Sequence, residues 1–205
     1  MSLFDDTYRT IASPSTGVFR DRGSKFIAYA YPFRDGGELK ERIAALKSEH
    51  PKARHHCWAY RLTPDRTIFR VNDDGEPSGT AGRPILNTLL SHDVTNVLVV
   101  VVRYFGGTLL GVPGLINAYK MATQEALENA EIVEKTVNDL YRVGFGYPQL
   151  NDVMRVVKEE ELSVVRQDFE QACTLEFEVQ QSRVNTVIGR LEKLDDTTIT
   201  YLRST

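Results

Sequence analysis

The sequence predicts an α+β fold in two domains, and three observations carry that expectation. Residues 97–102 form a continuous apolar run with four successive valines, the pattern of a strand buried on both faces. Residues 137–202 read strand, helix, strand, strand, helix, strand, the order of a ferredoxin-like sandwich. The length of 205 residues suits two domains of about 100 residues each, and the division is placed between residues 1–134 and 135–205. A chain of this size buries roughly 70% of its extended surface, so its core needs no disulfide or metal staple.

The elements follow in order. Residues 10–19 are strand-compatible but interrupted by Pro14 and Gly17. Asp21-Arg22-Gly23 turns the chain into residues 24–33, completing an antiparallel hairpin. Leu39, Ile43 and Leu46 at helical spacing predict a helix over 39–50, which Pro51 stops. Residues 54–62 form a strand with His55, Cys57, Ala59 and Arg61 on one face and His56, Trp58, Tyr60 and Leu62 on the other. Residues 67–72 are its partner strand, and Pro84 opens a short helix over 85–92. After the valine strand, a helix from Leu115 to about Ala130 turns Leu115, Ala118, Ala122, Ala126 and Ala130 inward. In the second domain, Cys173, Leu175, Phe177 and Val179 alternate with polar residues, and Ser182 is the expected N-cap of a helix over 184–193.

Two stretches are chemically unusual. Residues 73–84 hold three acids, three glycines and two prolines, describing a loop that a scaffold holds at its rim. Their spacing is not that of a calcium-binding loop. Arg103-Tyr104-Phe105-Gly106-Gly107-Thr108 follows the valine strand and leads into a helix, an arrangement that presents free N–H groups to an anion or a carbonyl. It is neither a Walker loop nor G-x-G-x-x-G, and the competing reading is that the glycines only turn the strand. His55 and His56 point to opposite faces of one strand and do not share an ion, so no metal and no cofactor is expected. Cys57 and Cys173 are expected as buried thiols in a reducing compartment. Ser78, a histidine and Asp74 or Glu76 are residue types of a hydrolytic triad, yet Pro77-Ser78-Gly79 is not a nucleophile elbow. No catalytic residue is assigned.

Residues 25–30 (KFIAYA), 53–60 (ARHHCWAY), 74–86 (DGEPSGTAGRPIL) and 100–111 (VVVRYFGGTLLG) together resemble the bacterial YigZ family, related to the N-terminal domain of the eukaryotic translation regulator IMPACT. The resemblance implies an N-terminal domain like the second domain of ribosomal protein S5 and a ferredoxin-like C-terminal domain. It places Arg54, His55, His56, Asp74, Glu76, Ser78, Thr80, Arg83, Arg103, Tyr104, Gly106, Gly107, Thr108 and Lys120 in or near the family's motif surface. Pro113-Gly114 and Asn117 depart from the family pattern, removing a cation and stiffening the helix entry, which weakens a phosphate-gripping role.

Charge narrows the partners. The net charge of −3 divides into +1 over residues 1–135 (17 Lys/Arg against 16 Asp/Glu) and −4 over 136–205 (8 against 12). A whole-chain basic footprint is absent, which argues against DNA and confines RNA contact to the first domain. The acidic start has no basic n-region or apolar h-region, and no apolar run reaches the ~18 residues of a membrane span, so a cytoplasmic protein is expected. Arg54, Arg83, Arg103 and Lys120 with Tyr104 offer a groove for RNA, whereas Arg103 pairing with Asp73, Asp74 or Glu76 closes part of it. Trp58 is read as a core residue ahead of a stacking platform. The resulting expectation is a non-catalytic, translation-associated protein that contacts RNA, the ribosome or a regulatory protein through its first domain. The alternative is a hydrolase acting on a small anionic or peptide substrate in the same cleft.

Overall fold

The structure, a computed structural model, describes residues 6–170 and 172–204. Residues 1–5, on which the reading of the N-terminus partly rests, lie outside them. The protein is α+β, and its described residues divide into two compact units, 9–135 in one and 136–204 together with 6–8 in the other. Its strands and helices run β1 (Thr7–Ile11), β2 (Ser15–Asp21), β3 (Ser24–Pro32), α1 (Leu39–Glu49), β4 (His55–Leu62), β5 (Ile68–Asn72), α2 (Gly82–Ser91), β6 (Val97–Tyr104), α3 (Gly111–Glu128) and β7 (Ile132–Thr136). They continue with β8 (Asn138–Phe145), α4 (Leu150–Glu159), β9 (Ser163–Asp168), β10 (Cys173–Gln180), α5 (Val184–Leu191) and β11 (Thr198–Ser204).

The first unit is built on a five-stranded sheet in the order β2-β3-β6-β4-β5, with every neighbouring pair antiparallel. The valine strand β6 is central, which is why it is apolar on both sides. Val97, Val99 and Val101 enter a core with Ile85, Leu86 and Leu89 of α2 and Ala118, Ala122 and Ala126 of α3. Leu98 and Val100 enter a second core, with Leu46 of α1, Phe33, Tyr60 and Leu62. An antiparallel strand therefore loses its usual alternation when helices cover both faces. Trp58 packs half-buried against this second core, stacked on Tyr60 with ring centroids 5.7 Å apart.

Three local expectations need correction. Pro14 ends the space between β1 and β2, but Gly17 does not interrupt β2. It lies inside the strand, and a Cβ there would sit 2.3 Å from the Ala126 nitrogen of α3, so glycine permits the helix to close on the sheet. Helix α3 begins at Gly111, four residues earlier than expected, because Pro113 fits a first turn that needs no N–H from it. Ser182 does not cap α5: residues Gln181–Arg183 form a 3-10 turn that runs into the helix, and the Ser182 N–H donates to Asp6 Oδ2 at 3.2 Å.

The second unit places β11-β8-β10-β9 in one antiparallel sheet, and its core packs α4 and α5 against β8 and β10. Cys173, Leu175, Phe177 and Val179 face those helices, as their alternation predicts. Both cysteines are buried and unpaired.

Candidate functional site

The loop from β5 to α2 is held by three carboxylates, each committed to a different element. Asp73 accepts from the N–H groups of Gly79 (2.8 Å), Ala81 (3.1 Å) and Gly82 (2.8 Å), which satisfies the open first turn of α2. Asp74, at φ +41°, accepts the His56 N–H on its carboxylate at 2.6 Å and His55 Nδ1 on its carbonyl at 2.8 Å. Glu76 is only 8% exposed and accepts from Arg103 Nη1 at 2.5 Å and the Tyr119 hydroxyl at 2.8 Å. The Tyr119 oxygen is in turn 3.2 Å from Cys57 Sγ, which also lies 3.0 Å from the Asp73 carbonyl. Burial pushes both the Cys57 thiol and the Tyr119 hydroxyl far up from their usual ranges, so both stay protonated at neutral pH. A thiol that does not ionise is no nucleophile.

Arg103 follows from strand register. It faces His55 of β4 and Phe26 of β3 on the side that carries Val101 and Cys57. Its guanidinium carbon lies 5.4 Å from the Phe26 ring and 5.7 Å from the Phe105 ring. Of the three acids that could pair with it, Glu76 does. Yet Arg103 is 5% exposed and its Nε has no acceptor among the described residues. His55 Nδ1 donates to the Asp74 carbonyl, and its Nε2 lies 3.9 Å from Glu76 Oε1.

Tyr104, one residue on, faces the opposite side. Its hydroxyl meets His50 Nδ1 at 2.8 Å, and the Tyr29 hydroxyl meets His50 Nε2 at 2.6 Å. Burial, reinforced by Glu49, pushes Tyr29 up to about 12. His56 lies on this side too, buried, and that burial lowers its pKa against the opposing pull of Asp74.

Gly106 and Gly107 seat the loop on the first hairpin. A Cβ on Gly106 would fall 2.0 Å from the Gly23 carbonyl carbon, and the Gly106 N–H already donates to Ser24 Oγ at 3.1 Å. Gly107 takes φ +86°, and Thr108 is exposed beside it. Thr80 is buried, closing the acidic loop through its hydroxyl to the Pro77 carbonyl at 2.7 Å. Ser78 is exposed and bonds to neither histidine among the described residues, so no triad forms.

The cations anticipated as one groove line three hollows. Arg54, His55, Glu76 and Arg103 line one of about 440 Å³, whose wall is Pro77, Phe105, Leu109, Leu110, Val112 and Leu115. Arg83 and Lys120 line another of about 430 Å³, with Asn87, Ser91 and Ile116. Arg54 also joins Lys47, His50, His56 and Asp74 around a third of about 310 Å³. Sequence reasoning missed Tyr119, His50 and the apolar rim. Tyr119 was visible as the bulky residue beside Ala118 on a helix face of small residues, and Phe105 and Leu109 as large apolar residues set among glycines. Nothing local pointed to His50. No group of three or more metal-ligating side chains comes together among the described residues, and no helix among them is long and apolar enough to cross a membrane.

Comparison with known proteins rests on the same residues. The Impact N-terminal domain family matches residues 22–127, which contain the buried network and all three hollows. An IMPACT family member of Haemophilus influenzae is 34% identical over 183 residues, spanning 87% of this chain and 84% of that protein. The IMPACT family member YigZ of Escherichia coli is also 34% identical over 183 residues, spanning 88% and 89%. A crystal structure described as that of a hypothetical protein superposes with a TM-score of 0.75 at 28% identity, covering 98% of this chain and 99% of that one. The chain belongs to the bacterial IMPACT/YigZ family, related to the N-terminal domain of eukaryotic IMPACT.

Proposed function

We propose that this is a non-catalytic, translation-associated protein that binds its partner, the ribosome or a regulatory protein, through the face around Arg103. One observation carries the reading: Arg103 is paired with Glu76 within that face, whereas the rim beside it is apolar and open. Leu109 is 80% exposed, and Phe105 and Val112 are about half exposed beside it. Such a rim suits a protein surface better than a phosphate backbone. The association with translation is what kinship to IMPACT implies. The protonated Cys57 thiol and the exposed, unassisted Ser78 speak for binding over hydrolysis.

The proposal includes two domains, 1–134 and 135–205, acting in the cytoplasm, where two buried unpaired cysteines are at home. The first would be like the second domain of ribosomal protein S5. The second would be a ferredoxin-like sandwich, supported by its β-α-β-β-α-β order and the sheet order β11-β8-β10-β9. Direct RNA contact is a second reading, favoured by exposed Arg83 and Lys120, which have no carboxylate partner among the described residues.

Co-sedimentation of the purified chain with purified ribosomes at two salt concentrations tests both. Saturable association that Leu109→Asp abolishes is the expected result. Association that Leu109→Asp spares but Lys120→Glu abolishes, and that falls steeply with salt, would transfer the function to RNA. No association at either salt concentration overturns the ribosome as the partner.

A further inference from the structure

We propose that the hollow beside Arg103 captures the C-terminal end of a peptide chain, holding its carboxylate at Arg54 and the start of α3 and its last, apolar side chain against Phe105, Leu109 and Val112. The inference rests on the reading of this face as a protein-binding surface and specifies what it recognises.

Charge selects the polar half of the ligand. Arg103 lines the hollow, is 5% exposed and gives Nη1 to Glu76, while its buried Nε has no acceptor among the described residues. That Nε is itself out of reach, so what Arg103 offers a ligand in the hollow is its charge. Arg54 is exposed at the same hollow and has no carboxylate partner among the described residues. Helix α3 contributes Gly111 and Val112 to the wall, and Leu110 before it provides no side-chain cap, so the positive end of an 18-residue helix opens here. Against these stands one carboxylate, Glu76. Counting arginines and carboxylates, Arg54 and Arg103 less Glu76 leave one formal positive charge, to which the helix end adds. The site therefore suits a monoanion; a divalent cation would be repelled.

The wall selects the apolar half. Phe105, Leu109 and Val112 expose large side chains on the hollow that holds the cations. A nucleic-acid backbone has charge but no aliphatic body to cover them. A chain end places a carboxylate and a side chain on one carbon, so a single residue meets both halves. A C-terminal amide has the same body without the charge, which gives the inference a sharp control.

The test is titration of the full chain with N-acetyl-Gly-Ser-Gly-Leu as the free acid and as the C-terminal amide, followed by ¹H–¹⁵N chemical shifts. The free acid should saturate with a Kd below about 1 mM, moving the amides of Arg54, Arg103 and Val112. The amide peptide should bind at least about tenfold more weakly, corresponding to ~1.4 kcal/mol. Arg54→Ala and Leu109→Asp should each weaken the free acid by a similar factor. Both replace exposed residues, so an unchanged melting temperature separates lost binding from lost folding. Equal affinity for acid and amide, shifts confined to Arg83 and Lys120, or no shift at several times that concentration would each overturn the chain-end site. Ribosome association that persists without peptide binding removes this inference and leaves the broader function standing; peptide binding without ribosome association does the reverse.

Discussion

Both units carry solvated arginine–carboxylate pairs, such as Arg42–Glu38 in the first, but among the described residues only the first buries both partners of one. In the first, Arg103 and Glu76 meet at 2.5 Å with their side chains 6% and 3% exposed. In the second, Arg142–Glu176, Arg155–Asp152 and the pairs of Arg183 and Arg190 with Glu159 and Glu160 all have an arginine that solvent reaches. A solvated pair adds little stability, because water and salt screen it and two long side chains lose freedom. A buried pair does not add much either when compared with a well-packed apolar pair, but breaking one half is costly. What the buried pair contributes here is position. It fixes the acidic loop to β6 and, through Tyr119, to α3, so three segments distant in sequence form one floor.

Five substitutions would break or sharpen this contrast, and Trp58 helps to read those in the first unit because the only tryptophan lies there. Glu76→Ala should be the most damaging, costing about 3–5 kcal/mol in urea unfolding followed by Trp58 fluorescence, since it strands the Arg103 charge. Adding Arg103→Met should recover much of that loss; a double variant as unstable as Glu76→Ala would show that the charge is not the cause. Gly106→Ala comes next, at about 1–3 kcal/mol, because its Cβ would collide with the backbone of Gly23. A melting temperature equal to wild type would mean the two turns do not touch in solution. Tyr119→Phe should cost about 1.5 kcal/mol by the same fluorescence assay, as it leaves Glu76 one donor short. Arg155→Ala, in an exposed pair of the second unit, should change far-UV unfolding by less than about 0.5 kcal/mol. A cost near that of Glu76→Ala would erase the distinction between the units.

Much of the fold was legible because each element has its own periodicity. The β6 run, the alternation of β10 and the small-residue face of α3 all lie within one segment, and local pattern reads them to within a few residues. The turn at Arg22-Gly23 was equally plain, with both residues at positive φ. Gly17 and Ser182 were misread for a common reason: their roles depend on Ala126 and Asp6, more than a hundred residues away in each case. The candidate site was only half legible. Its residue types stood out, and Arg103 pairing with a loop acid was one foreseen outcome. That Arg54, Arg83, Arg103 and Lys120 would be shared among separate hollows was not, because strand register and helix position decide which side chains converge.

The Val97–Tyr104 strand and the glycine turn after it show where the division lies. By itself the sequence determined that this segment is a buried strand ending in an arginine and a tyrosine, because apolar side chains must leave water whatever surrounds them. Strand alternation already parts Arg103 and Tyr104 to opposite faces, but only tertiary structure decided their neighbours, one bound to Glu76 and Tyr119 through a buried carboxylate and the other to His50. It also decided that Gly106 closes against Gly23, with its N–H taken by Ser24 Oγ. Burial is a property each residue carries with it, whereas a hydrogen-bond partner must be brought from elsewhere in the chain.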